Sequence, residues 1–167
     1  MQNIENERKP VLLIIGGTGV MGQTFTRCVI ENGYTVHTPS HPDFDIAASP
    51  ESIRGFLERL NPDIVVNASA ANVTVDEAEL QKGDRSGTVW RTNAVGPVSV
   101  ASACLDSNIP FIHLSTDYVL GGLKCPHTEN EELAPISWYG ESKAESERGI
   151  ANLKGMFHIV RVQRPLS

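Results

Sequence analysis

Hydrophobic and polar positions fall into two alternating patterns along this chain. Val11 to Ile15 is an unbroken apolar run rich in β-branched residues, the pattern of a strand covered on both faces. Four glycines follow at Gly16, Gly17, Gly19 and Gly22, and the spacing beyond them predicts a helix from Met21 to about Asn32, closed by Gly33. Tyr34 to Thr38 reads as a second short strand, with a loop from Pro39 to Pro42. Ser49 then offers an N-cap and Pro50 a first-turn residue, and Ile53, Phe56, Leu57 and Leu60 form one helical stripe that Asn61-Pro62 ends. Asp63 to Ala68 predicts a third strand. A polar loop, Gln81 to Gly87, precedes a helical region reaching about Ser107, which Gly96-Pro97 should kink or interrupt. Phe111 to Ser115 predicts a fourth strand and Gly121 to Pro135 a loop. Trp138 to Leu153 predicts a helix weakened by Gly149, and Phe157 to Val162 a fifth strand.

Strands that alternate with helices imply right-handed crossovers and a mainly parallel sheet. The expected class is therefore α/β, a Rossmann-like doubly wound sheet in three layers. The stretch between the second strand and Asp45 is too short for a helical crossover, so one helix of the full pattern is missing. Such sheets bind ligands at the carboxyl ends of their strands, where the strand order reverses. The glycine cluster sits at that point.

Composition narrows the picture without changing it. With 167 residues, 40% of them hydrophobic, the chain suits one globular domain, expected over residues 10–167 behind a flexible, charged tail at 1–9. Fourteen basic residues against twenty acidic ones give a net charge of −6, which argues against a nucleic-acid partner or an anionic membrane. The longest apolar run is far too short to span a bilayer, and the first nine residues lack the apolar segment of a secretory leader. Cys28, Cys104 and Cys125 are an odd number without metal-ligand spacing, as expected of free thiols in the cytoplasm. No metal site is expected. Cys125-Pro126-His127 reads as a chance loop sequence, and His37, His41, His113, His127 and His158 as surface or packing residues.

Two constellations carry chemistry. Gly17-x-Gly19-x-x-Gly22 has the dinucleotide spacing and lies between a buried-type strand and a helix. Glycines are needed there because a Cβ would hold the backbone away from a pyrophosphate, and because the helix N-terminus offers free N–H donors. No Lys-Ser/Thr follows, which excludes a P-loop. No acid stands at the end of the second strand to favour NAD, and only His37 and His41 are placed near a 2′-phosphate, so NADP and NAD both stay open. The second constellation is Tyr139-x-x-x-Lys143, one helical turn apart, with Thr116 at the carboxyl end of the fourth strand. A neighbouring ammonium is expected to lower the tyrosine pKa and make the phenol a proton donor or acceptor near neutral pH.

With these residues the chain resembles the extended short-chain dehydrogenase/reductase family, and within it the dTDP-4-dehydrorhamnose reductases and their relatives. The resemblance is carried by Gly16 to Gly22, Asp45-Ile46, Pro62 to Ala70, Asn93 to Pro97, Ser115 to Val119 and Ala134 to Lys143. It implies NADP or NAD as cofactor and a nucleotide-activated 4-keto sugar as substrate. Thr116, Tyr139 and Lys143 would be catalytic. Tyr139 would protonate the sugar oxygen, Thr116 would hydrogen-bond it, and Lys143 would hold the nicotinamide ribose. The resemblance further implies that Gly16, Gly19, Val20, Met21 and Gly22 meet the pyrophosphate, that Asp45 and Ile46 lie beside the adenine, and that Ala68, Ser69 and Ala70 border the ribose and pyrophosphate.

Family members continue beyond the fifth strand into a C-terminal substrate-binding region, which this sequence is expected to lack. The loop from Ala70 to Asp76 also looks one residue longer than usual, and Gly121-Gly122 replaces a turn that commonly contains an acid. These departures leave two alternatives open: a non-catalytic dinucleotide-binding regulatory subunit, like that of methionine adenosyltransferase, or an inactive remnant. They also leave a protein partner or a homodimer open.

Overall fold

A computed structural model describes residues 8–122 and 126–163. Most of the expected tail at 1–9, and Cys125, lie outside the described residues. Arg8, at the tail's inner end, is paired: its guanidinium donates to Asp63 Oδ1 at 2.6 Å.

Five strands form one parallel sheet: β1 (Val11–Ile15), β2 (Thr35–His37), β3 (Ile64–Asn67), β4 (Phe111–Thr116) and β5 (Phe157–Val162). Their order is β2-β1-β3-β4-β5, so the sheet grows in opposite directions from β1. This is the expected Rossmann-like architecture, and the reversal lies between β1 and β3. The helices are α1 (Val20–Glu31), α2 (Pro50–Leu60), α3 (Val75–Glu79), α4 (Thr88–Trp90), α5 (Gly96–Asp106) and α6 (Trp138–Asn152). Right-handed crossovers in opposite directions place α1 on one face and α2, α5 and α6 on the other.

The larger core fills that second face. Leu13, Ile15, Val65 and Phe111 meet Ile53 and Leu57 of α2, Val100, Ala101 and Cys104 of α5, and Ile150 of α6. Ser49 caps α2 by accepting from the Ser52 N–H, and Asn61 ends it in the left-handed region at φ 48°, as the sequence predicts.

Three features differ from expectation. Residues 75–79, of which only 75 and 76 fall within an expected loop and the rest have no assigned element, form a short helix under a reciprocal capping box between Thr74 and Glu77. The interruption expected at Gly96-Pro97 comes just before it, as a π-helical turn over Arg91–Val95. Gly149 is more than a weak point in α6. A Cβ there would lie 2.5 Å from Val98 Cγ2, so its absence allows α5 and α6 to approach closely.

Candidate functional site

The β1–α1 turn is built from glycines with distinct jobs. Gly16 takes φ 79°, and a Cβ on it would lie 2.6 Å from Ser69 Cα; a Cβ on Gly22 would run into the Gly16 carbonyl. Both are required by the protein's own packing. Gly19 is different. Its nearest neighbour would be the Gly16 carbonyl oxygen at 3.4 Å, an ordinary contact, with open space elsewhere. Gly19 also caps α1 without any side-chain hydrogen bond, and the first turn of α1 carries no acid. An uncapped helix N-terminus under an open glycine is a cradle for an anion, and it fits a dinucleotide pyrophosphate. Val20 is 82% exposed at the crest, with Met21 half-buried behind it.

The neighbouring loops hold the other residues expected here. Ala68 and Ser69 are half-buried and abut Gly16, while Ala70 is exposed. The Ser69 hydroxyl and N–H both donate to Asn67 Oδ1, at 2.6 and 3.0 Å, so that side chain points into the protein. Asp45 accepts from the Ala47 N–H at 2.9 Å and lies 3.8 Å from His41 Nε2. The Ile46 side chain belongs to the main core, which leaves its backbone for any adenine contact.

Further along the same carboxyl edge of the sheet, Thr116 is the last residue of β4. Its Oγ1 donates to Asp117 Oδ1 at 3.2 Å and accepts from the Tyr118 N–H, capping the short 3₁₀ turn Asp117–Val119. Tyr139 and Lys143 occupy the first two turns of α6. Ser137 caps that helix, and Glu79 of α3 accepts from the Trp138 N–H, so the unforeseen helix helps fix the start of α6. The Tyr139 ring meets Tyr118 edge to face, 5.8 Å between centroids.

The electrostatics correct one expectation. Burial raises the Tyr139 pKa above the ordinary phenol value, and Tyr118 and Asp117 add to the effect. The ammonium expected to lower it is engaged on β4 instead: Lys143 Nζ donates to the Leu114 carbonyl at 2.8 Å and lies 3.2 Å from His113 Nε2. Lys143 is itself almost fully buried, and burial brings its pKa down to about 8 against the opposing pull of Glu147.

Two residues that the sequence reading gave no role join these parts. Asn93, in the π turn, accepts from the Ala71 N–H at 2.7 Å and donates to Ser142 Oγ at 3.2 Å, tying the loop after β3 to α6. His113 is fully buried between Asn67, Ser146 and Lys143. A cavity of ≈ 610 Å³, lined in part by Asp117, Tyr118, Ile136, His127 and Arg161, opens beside the Tyr118–Tyr139 corner. Among the described residues there is no cluster of potential metal ligands, and no helix is long and apolar enough to cross a membrane.

Known proteins share this fold. The dTDP-4-dehydrorhamnose reductase of Aggregatibacter actinomycetemcomitans is 32% identical over 152 residues, covering 90% of this chain and 50% of the relative. The crystal structure of the Bacillus anthracis dTDP-4-dehydrorhamnose reductase in complex with NADP superposes with a TM-score of 0.83 at 27% identity, covering 95% of this chain and 55% of that one. Its Clostridium acetobutylicum counterpart gives 0.81 at 30% identity, covering 90% and 52%. The chain thus spans about half the length of the relatives it matches. The profile of the family described as RmlD substrate binding domain matches residues 10–164, and the chain belongs to that family.

Proposed function

We propose that the chain carries the dinucleotide-binding and proton-donating half of an NAD(P)-dependent reductase acting on a nucleotide-activated 4-keto sugar, of the dTDP-4-dehydrorhamnose type. One observation carries the reading. An open glycine over an uncapped helix N-terminus lies at the same carboxyl edge of the parallel sheet as Thr116, and contacts through Ser69, Asn67 and His113 join its turn to Lys143, one helical turn from Tyr139. The names of the relatives point to the same substrate class. NADP or NAD, when bound, supplies the hydride.

The chain's own residues account for the rest of the reduction. Gly19 and the first N–H groups of α1 hold the pyrophosphate, and Ala68, Ser69 and Ala70 form the adjoining wall. The carbonyl carbon accepts the hydride while its oxygen takes a proton from the Tyr139 hydroxyl, giving an alcohol and a transient phenolate. A raised pKa keeps Tyr139 protonated until that moment, and Lys143, one turn further along α6, would hold the nicotinamide ribose. Thr116 Oγ1 turns its proton from Asp117 to the substrate oxygen. The cavity beside Tyr118 receives the sugar nucleotide. The reading places the chain in the cytoplasm, where free thiols such as Cys28 and Cys104 persist.

Titration of the purified chain with NADPH and NADH, followed by a panel of keto-sugar nucleotides, tests the proposal. Binding of at least one cofactor is expected, with cofactor oxidation that falls about 10²-fold or more in Tyr139→Phe while cofactor affinity is retained. Absence of binding overturns the dinucleotide site. Binding without any Tyr139-dependent oxidation leaves a binding module and overturns the reductase.

A further inference from the structure

A buried chain of hydrogen bonds runs from the loop beside the glycine turn to Lys143. It starts at Ser69, whose backbone N–H can only donate and whose partner on Asn67, at 3.0 Å, must therefore be the carbonyl oxygen Oδ1. That fixes the Asn67 amide. Its Nδ2 faces His113 Nδ1 at 3.1 Å and donates to it, so Nδ1 carries a lone pair. Burial, reinforced by the charge of Lys143, keeps the ring neutral, well below the usual histidine pKa. A neutral ring with a lone pair on Nδ1 carries its one proton on Nε2.

The far side of the ring agrees. Ser146 Oγ, 3.1 Å from Nε2, spends its own proton on the Lys143 carbonyl oxygen at 2.7 Å, so it offers Nε2 a lone pair. Lys143 Nζ, 3.2 Å from the same Nε2, meets an N–H where it needs an acceptor. Of its three donors, one is taken by the Leu114 carbonyl and none by the imidazole. Among the described residues, the charged and titratable groups that act on this ammonium are Glu147 on its own helix and His113 on β4, with Tyr139 one turn earlier on the same helix. Glu147 is held by Arg161 of β5 at 2.7 Å.

We propose that His113, locked as its Nε2–H tautomer by Asn67, is a positioning residue that denies Lys143 a second acceptor inside the fold and so leaves the remaining ammonium donors for a bound ligand. The inference rests on the reductase reading only for what Lys143 then does. Burial is the main reason that the ammonium is held weakly, and the same contacts act with it: a donor faces a donor, and the neutral amine is the form that could accept from Nε2–H. The chain of bonds also joins the glycine turn to α6, because Ser69 packs against Gly16.

The test uses the full 167-residue chain without cofactor, so its outcome is separate from turnover. Long-range proton–nitrogen spectra of the histidine rings are expected to show His113 with Nδ1 unprotonated and Nε2 protonated, unchanged between about pH 5 and 8. An Nδ1–H pattern, or titration within that range, overturns the proposal even if no variant folds. Two substitutions, followed by the NMR titration of the Lys143 ε-methylene, should move it in opposite directions. His113→Gln can turn a carbonyl toward the ammonium and should shift the titration upward by about one pH unit. Ser146→Ala leaves the amine as the sole acceptor for Nε2–H and should shift it downward. If His113 merely fills space, Lys143 titrates at the same pH in both folded variants, and the proposal fails. Loss of turnover with the tautomer and both shifts intact would count against the reductase reading alone.

Discussion

Lys143 stands at an unfavourable place for an ammonium, and that cost is measurable. Its pKa of about 8, against an ordinary value of 10.5, corresponds to about 3 kcal/mol of destabilisation at neutral pH. Lys143→Met removes the charge and forfeits one hydrogen bond to Leu114, worth about 1 kcal/mol, so the variant should be more stable than the parent by about 2 kcal/mol at pH 7. The pH dependence has a definite sign. The folded state resists protonating Lys143, so the penalty is complete below about pH 8 and fades as the pH rises through 10.5, above which both states are neutral. Urea melts at pH 7 and pH 10 should therefore show the gain shrinking, and equal gains at both would contradict a buried charge. The type and order of Thr116, Tyr139 and Lys143 were legible in the sequence, because one helical turn and one strand end place them. The sign of the Tyr139 shift was not. It depends on where the ammonium finds its partners, and these lie on β4, far away along the chain. His113 was equally hidden, since Asn67 is 46 residues away from it and Ser146 is 33.

Elements show the same division between local and distant causes. All five strands and the helices α1, α2 and α6 follow from apolar runs, stripes and caps within a dozen residues. Helix α3 did not announce itself through periodicity because five residues hold too few apolar positions; the Thr74-x-x-Glu77 capping box was its one local signal. Gly149 was read through propensity alone, as a residue that weakens a helix, yet its reason for being there is Val98 on the facing helix. Propensity and packing then predict opposite outcomes for Gly149→Ala. Helix propensity favours alanine by about 1 kcal/mol. The new methyl, however, would meet Val98 Cγ2 at 2.5 Å, and overpacking of this kind costs about 1–3 kcal/mol. The variant should lose about 1 kcal/mol in denaturant melts, and a double variant with Val98→Ala should recover part of the loss beyond additivity. A stabilised single variant would show that α5 and α6 part easily, and the close approach would lose its meaning.

For the molecule as a whole, the candidate site exists only when distant segments meet. The glycine turn after β1, the loop after β3, the end of β4 and the start of α6 come together at the carboxyl edge because the strand order reverses between β1 and β3. An unfolded chain has no such site, so on the proposed reading a dinucleotide bound there must stabilise the folded state by mass action. At a cofactor concentration about 100 times the Kd, the gain is about 2.7 kcal/mol. For a domain of this length it should raise Tm by about 5–10 °C. Two glycines separate binding from folding. Gly19→Ala meets nothing closer than 3.4 Å, so the cofactor-free Tm should stay within about 2 °C of the parent, while the cofactor-induced rise should fall by more than half. Gly22→Ala drives a methyl into the Gly16 carbonyl and should lower the cofactor-free Tm itself. A thermal-shift series over the three proteins, with and without NADPH or NADH, distinguishes these outcomes. If Gly19→Ala keeps the full cofactor-induced rise, the open space above that residue is not where the pyrophosphate lies, and the assignment of the β1–α1 turn falls with it.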